Sequence, residues 1–119
     1  MEKPITPLAH GIIDYGIIAS LFVVPKTMDM DKKAQNLYSI LGSSLGIYNA
    51  VTNHGAGILP LVSFKTHYKI DYFNLGLVGL LGFHRAIQKD KKALLFHAAL
   101  VALATATVVL TDVSRKSKI

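Results

Sequence analysis

The sequence predicts an all-α integral membrane protein: a four-helix bundle made of two similar helical hairpins with pseudo-twofold symmetry. Three observations predict it. Long stretches carry almost no ionised side chain: Asp14 alone between Pro4 and Val24, none from Ala34 to Phe64, and none from Ala93 to Thr111. A soluble amphipathic helix needs a charged or strongly polar face, and these segments lack one. The motif His10-Gly11-Ile12-Ile13-Asp14-Tyr15 has an echo in His67-Tyr68-Lys69-Ile70-Asp71-Tyr72, with His, Asp and Tyr in the same register. The echo also extends past the motif, since an offset of 59 lays Ala34 on Ala93, Leu41 on Leu100, Thr52 on Thr111 and Asn53 on Asp112.

The 119 residues allow one membrane domain, with a first repeat over about 8–53 and a second over about 67–112. Helix 1 is expected from Leu8 to Val24, with Pro7 in its first turn and Pro25 ending it. At ~1.5 Å per residue it reaches about 25 Å, slightly short of a ~30 Å hydrocarbon core. An early Lys and an apolar run resemble a signal peptide. However, Pro25-Lys26-Thr27 replaces a small-residue cleavage site, so this segment is read as a retained first span.

Lys26 to Lys33 forms a charged turn. Helix 2 follows over Ala34 to Asn53, with Gly42, Gly46 and Ala50 on one stripe suited to close packing. His54 to Thr66 is an apolar loop, expected at the membrane interface or folded back on the bundle. Helix 3 is placed at His67 to Ile87, with Gly76, Gly79 and Gly82 on one side. Arg85 to Lys92 makes a second basic turn. Helix 4 is placed at Ala93 to Asp112, with Ala98, Ala102 and Ala106 in line, and a basic tail, read as mobile, closes the chain.

The net charge is +6, with a pI near 9.7. Basic residues are divided among the turns without aromatic interleaving. That suits anionic headgroups and excludes a nucleic-acid groove. There is no Cys, hence no disulfide, thiolate metal site or cysteine nucleophile. Orientation is not fixed by charge. One face has Lys3, Lys65, Lys69, Arg115, Lys116 and Lys118, and the other has Lys26, Lys32, Lys33, Arg85, Lys89, Lys91 and Lys92.

Four alternating spans bring the polar groups to a single rim. His10, Asp14 and Tyr15 begin helix 1 there, and Thr52, Asn53 and His54 end helix 2. His67, Asp71 and Tyr72 begin helix 3, and Thr111 and Asp112 end helix 4. His10 and Asp14 are four apart and share a helix face, as do His67 and Asp71. The first reading is a polar network that joins the two hairpins, since ionisable groups within spans pair or face the bundle interior. The alternative is a metal-ion or proton site, with His10, Asp14, His67, Asp71 and Asp112 as ligand candidates for a divalent ion such as Zn²⁺ or Mn²⁺. A third reading uses a His–Asp pair as general base. No Ser or Cys stands at a nucleophile elbow, so no catalytic residue is assigned and the balance is against an enzyme.

His84 and His97 fall toward the opposite rim. His97 takes the slot of Tyr38 in the first hairpin, which points to an interfacial polar tip and against a bis-His haem. Tyr48 and Phe73 are read as packing residues. Self-association is expected from the spare small-residue stripes, with the lipid bilayer as the other partner.

The first motif, the Thr52-Asn53 pair before a Gly- and Pro-containing loop with Lys65 and His67, and the closing Thr111-Asp112 together resemble small four-span bacterial membrane proteins of the SPW-repeat type. The resemblance covers most of the chain, although this chain has no Trp. It implies a four-span fold in a bacterial inner membrane, and that family has no established activity.

Overall fold

Seven elements follow one another in the structure, a computed structural model that describes residues 2–114. They are α1 (Pro7–Thr27), α2 (Lys32–Ala50), β1 (Thr52–Asn53), β2 (Val62–Ser63), α3 (Phe64–Leu81), α4 (Arg85–Gln88) and α5 (Lys91–Leu110). Met1 and residues 115–119 lie outside that range, and so does the basic tail with Arg115, Lys116 and Lys118.

Among the described residues the fold is all-α apart from two short parallel pairings, but its helix ends differ from the sequence reading, α5 for one running Lys91–Leu110 rather than Ala93–Asp112. Pro25 does not end α1. It sits inside the last turn, fully buried, and the helix runs on to Thr27, where the Met28 N–H bonds the carbonyls of Val24 and Lys26. A proline costs a helix only its own N–H bond and local room, and one near the C-terminus leaves few bonds to lose. The chain then reverses through Asp29, at φ 51°.

Helix α2 stops at Ala50 rather than Asn53. Thr52 and Asn53 leave it to pair with Val62 and Ser63. Helix α3 begins three residues early, at Phe64, because Ser63 caps it through the N–H of Thr66. It ends at Leu81 instead of running to Ile87, and the short α4 follows, with the His84 ring accepting from the N–H of Ala86. A fifth helix therefore stands where a basic turn was expected.

The starts of α1 and α3 are built alike. Thr6 caps α1 through the N–H of Ala9, as Ser63 caps α3. Each start is strapped to the end of another helix. The Ile5 N–H bonds Leu110 O, and the Val62 N–H bonds Val51 O. Thr111 pairs with Ile5 in parallel, as Thr52 pairs with Val62. These straps bring the first turns of α1 and α3 beside the last turns of α5 and α2.

The interior is zoned. Ile17, Leu21, Met30, Ala34, Tyr38, Ile87, Ala93 and Leu100 form the apolar core, toward the end where α4 lies. At the other end most buried side chains are polar, His10, Asn49, Thr52, His54, His67, Thr107 and Thr111, with Phe64 and Val108 beside them. Helices α1 and α2 approach closely at Gly42, where a Cβ would stand 2.8 Å from the Phe22 ring. Gly46 faces Ile18 on the same side. By contrast, Gly76 and Gly79 face open space, and Ala98, Ala102 and Ala106 are exposed.

Two helices, α1 and α5, are long and apolar enough to cross a membrane, with mean hydropathies of 1.6 and 2.3. Helix α2 is diluted by Gln35, Asn36, three serines and Asn49, and α3 by Lys65, His67, Lys69, Asp71 and Asn74.

Candidate metal centre

His10 lies in the first turn of α1 and His67 in the first turn of α3, each with an Asp one turn further on. The straps aim both pairs inward, and the four side chains meet. His10 Nε2 lies 3.3 Å from Asp14 Oδ2 and 2.9 Å from Asp71 Oδ2. His67 Nε2 lies 3.3 Å from Asp14 Oδ2 and 3.3 Å from Asp71 Oδ1. Both imidazoles are about 1% exposed, while the carboxylates keep 22% and 12%.

The other ring nitrogen fixes the tautomer. His10 Nδ1 is 2.8 Å from Thr111 Oγ1, and His67 Nδ1 is 2.6 Å from Thr52 Oγ1. A hydroxyl has one proton to give. Thr52 gives its proton to Tyr48 O, and Thr111 gives its to Thr107 O, each one turn back in its own helix. Both hydroxyls must therefore accept, so each imidazole donates from Nδ1. In the neutral ring this leaves the Nε2 lone pair aimed at two carboxylates. Acceptor facing acceptor is repulsive unless a positive charge lies between them. Among the described residues, buried His67 Nε2 and Asp71 Oδ2 have no in-line hydrogen bond.

Around these groups the rings are packed in place. Tyr48 stacks on His67, with centroids 4.2 Å apart and planes within 9°. The Tyr48 hydroxyl donates to His67 O. Phe64 meets His10 edge-on at 5.2 Å. A metal-ligating histidine needs such support, because a second-shell acceptor on the far nitrogen sets both tautomer and orientation.

One oxygen or nitrogen from each of the four residues can be chosen so that all lie within 4.8 Å of one another. Ligands ~2.05 Å from a tetrahedral ion stand about 3.3 Å apart. Three of the four N···O separations are 3.3 Å, and the fourth is 2.9 Å. Two imidazoles and two carboxylates are a borderline donor set that suits Zn²⁺, Fe²⁺, Co²⁺ or Mn²⁺.

The remaining rim residues play other parts. His54 is fully buried, donates from Nε2 to Asn49 Oδ1 at 2.7 Å and accepts at Nδ1 from the N–H of Ala56. Burial pushes it down to about 4, so it is neutral. The Asn49 amide passes the link to Gly11 O. Gly11 is needed here because a Cβ would stand 2.5 Å from the His54 ring. Tyr15 donates to Ala56 O and ties down the loop. Asn53 is exposed on β1, and Tyr72 is 52% exposed with its hydroxyl against Tyr68. Asp112 does not join the four ligand candidates. Its carboxylate accepts from the Ser114 hydroxyl and N–H and the Lys3 N–H, just beyond the end of α5.

At the opposite end, His97 is 4% exposed rather than an interfacial tip. Its Nδ1 accepts from the Tyr38 hydroxyl at 2.8 Å, and its Nε2 donates to Val78 O at 2.7 Å. His84 is exposed and caps α4. Phe73 points outward, 66% exposed, and is not a packing residue.

The sequence reading missed the roles of Tyr48, Phe64 and Thr107. Tyr48 and Thr107 each stand four residues before a rim threonine, the spacing at which a threonine hydroxyl bonds back to a helix carbonyl. No family model, curated protein or solved structure matches this chain.

Proposed function

We propose that this chain is a small integral membrane protein that holds one divalent transition-metal ion between His10, Asp14, His67 and Asp71. The four long helices span the bilayer as two equivalent hairpins, and the ion joins the hairpins near one membrane face. The observation that carries this reading is the pair of Nδ1-protonated imidazoles with their Nε2 atoms set at metal-ligand spacing from two carboxylates. Two carboxylates neutralise a divalent ion, so the loaded site has no net charge, as a low-dielectric layer favours.

Membrane insertion is supported by the outer surface. Large apolar side chains are exposed on every long helix: Ile12 and Val23 on α1, Ile40 and Ile47 on α2, Phe73 and Leu80 on α3, Leu95 and Leu103 on α5. Soluble monomers rarely expose patches of that extent. The loop adds Ile58, Leu59 and Leu61, all more than half exposed. The equivalent straps and caps at offsets of 57 and 59 support the two-hairpin reading. The SPW-repeat resemblance fits the same architecture.

The test is metal analysis of protein purified in detergent, followed by titration of the chelated protein with Zn²⁺, Co²⁺ and Mn²⁺. One ion per chain is expected, falling to none in His67→Ala. Failure of all three ions to bind near one per chain would return the cluster to a proton-shared polar network.

A further inference from the structure

The carboxylates of Asp14 and Asp71 face a cavity on their far side. It continues away from the histidines, past Ile17 on α1, Leu45 on α2, Val78 on α3 and Ala104 on α5. Its walls are aliphatic. Its one polar end contains the two carboxylates, Tyr48 and Asn74. Tyr48 has spent its proton on His67 O. Asn74 is different. It stands one turn after Asp71 on the same face of α3, half-buried, and its amide has no hydrogen-bond partner among the described residues. This amide stands at the polar end of a cavity with aliphatic walls, free to bind a ligand there.

We propose that this chamber binds a small neutral alcohol with a short aliphatic tail, its hydroxyl at the carboxylate end. The proposal rests on the metal reading above. The walls select the tail, because they return no hydrogen bond and gain by covering apolar surface. The polar end selects the head. Asn74 offers N–H donors and the carboxylates offer acceptors, so the head must both accept and donate. A hydroxyl does both, whereas a ketone only accepts. Charge selects neutrality. A divalent ion and two carboxylates already balance, and a carboxylate head would bring an unpaired charge among hydrocarbon walls.

The experiment uses the full chain loaded with Co²⁺, whose visible spectrum reports its ligand field. 1-Hexanol, 2-hexanone and hexanoate are titrated in turn. The expected result is a saturable spectral change with 1-hexanol, at least tenfold weaker with 2-hexanone and weaker still with hexanoate. Ala104→Phe fills the chamber and should abolish the response while keeping the Co²⁺ spectrum. Asn74→Leu should weaken it at least tenfold. If Ala104→Phe loses Co²⁺ as well, Val78→Phe serves as the second filling variant. Failure of Co²⁺ to bind the unaltered protein sinks the metal reading, and the alcohol site with it. Co²⁺ binding with no saturable response to 1-hexanol overturns the alcohol site alone. An equal response in both filling variants, or to hexanoate, does the same.

Discussion

The two ends of the bundle each bury histidine, and they treat it in opposite ways. At the α4 end, His97 is closed: Tyr38 donates to one nitrogen, and the other donates to the Val78 carbonyl. At the strapped end, His10 and His67 each give only one nitrogen to a neutral partner. Thr111 and Thr52 hold Nδ1, and Nε2 is turned toward carboxylates. Burial alone therefore does not mark a ligand. The mark is the direction in which the second nitrogen looks. His54, buried in the same polar zone as His10 and His67, follows the closed pattern through Asn49 and Ala56. One molecule thus contains both the structural use of histidine and a candidate ion site, separated by a few hydrogen bonds.

The sharpest way to break the contrast is to remove an open histidine. His67→Ala should lower Zn²⁺ affinity by at least ~100-fold, the upper range for even a supporting residue. Equilibrium titration against a chelator measures it, and an unchanged affinity would dissolve the distinction. Next comes a supporting group. Thr52→Val takes the acceptor from His67 Nδ1 and should cost about 10–100-fold in affinity. Little should happen to the helical far-ultraviolet signal.

The converse variant lies at the closed end. Tyr38→Phe leaves His97 Nδ1 buried without a donor and should destabilise by about 1–3 kcal/mol. Denaturant unfolding should show that loss, while metal content stays at one per chain. The closed His54 gives a pH signature. Its folded value, about 4, lies below its ordinary 6.5. The unfolded chain binds the extra proton between those limits. Stability is then complete above pH 6.5 and falls by up to about 1.4 kcal/mol per unit as the pH drops toward 4. A chelated His54→Gln variant should show a flatter profile over that window. The smallest effect belongs to Asp90. It caps α5 through the Lys92 N–H and also accepts from the Asp31 N–H, which holds its carboxyl below the usual range. Asp90→Ala should cost about 1 kcal/mol or less, with no change in metal binding.

Much of this arrangement was legible from spacing. Two His–Asp pairs four residues apart, each at the start of an apolar stretch, are enough to put four ligand atoms on two helix faces. Helices that alternate in direction then bring both faces to one rim. The threonine supports were visible only as rim residues. That each histidine leans on the threonine 101 residues later or 15 residues earlier depends on the straps at Ile5 and Val62, which are backbone bonds with no side-chain signature. The same holds for the end of α2. Thr52 reads as helical, but the loop folds back so tightly that a Cβ on Gly57 would collide with Thr52 O. Tyr38 and His97 were recognised as occupants of one slot at an offset of 59. Their mutual hydrogen bond follows only when two equivalent positions meet in the interior. Helix α3 was placed too long because Gly82 looked like one more small packing residue, whereas the chain turns there and packs against His97.

The strap between Ile5 and residues 110–112 has a practical consequence. The Ile5 N–H and C=O bond Leu110 O and the Asp112 N–H, so the beginning and the end of the described chain lie side by side. A short linker could join them, and the exposed segment around Ile58 and Leu59 could become the new pair of ends. Such a rearranged gene would read the second half of the protein before the first while leaving His10, Asp14, His67 and Asp71 on the helices they now occupy.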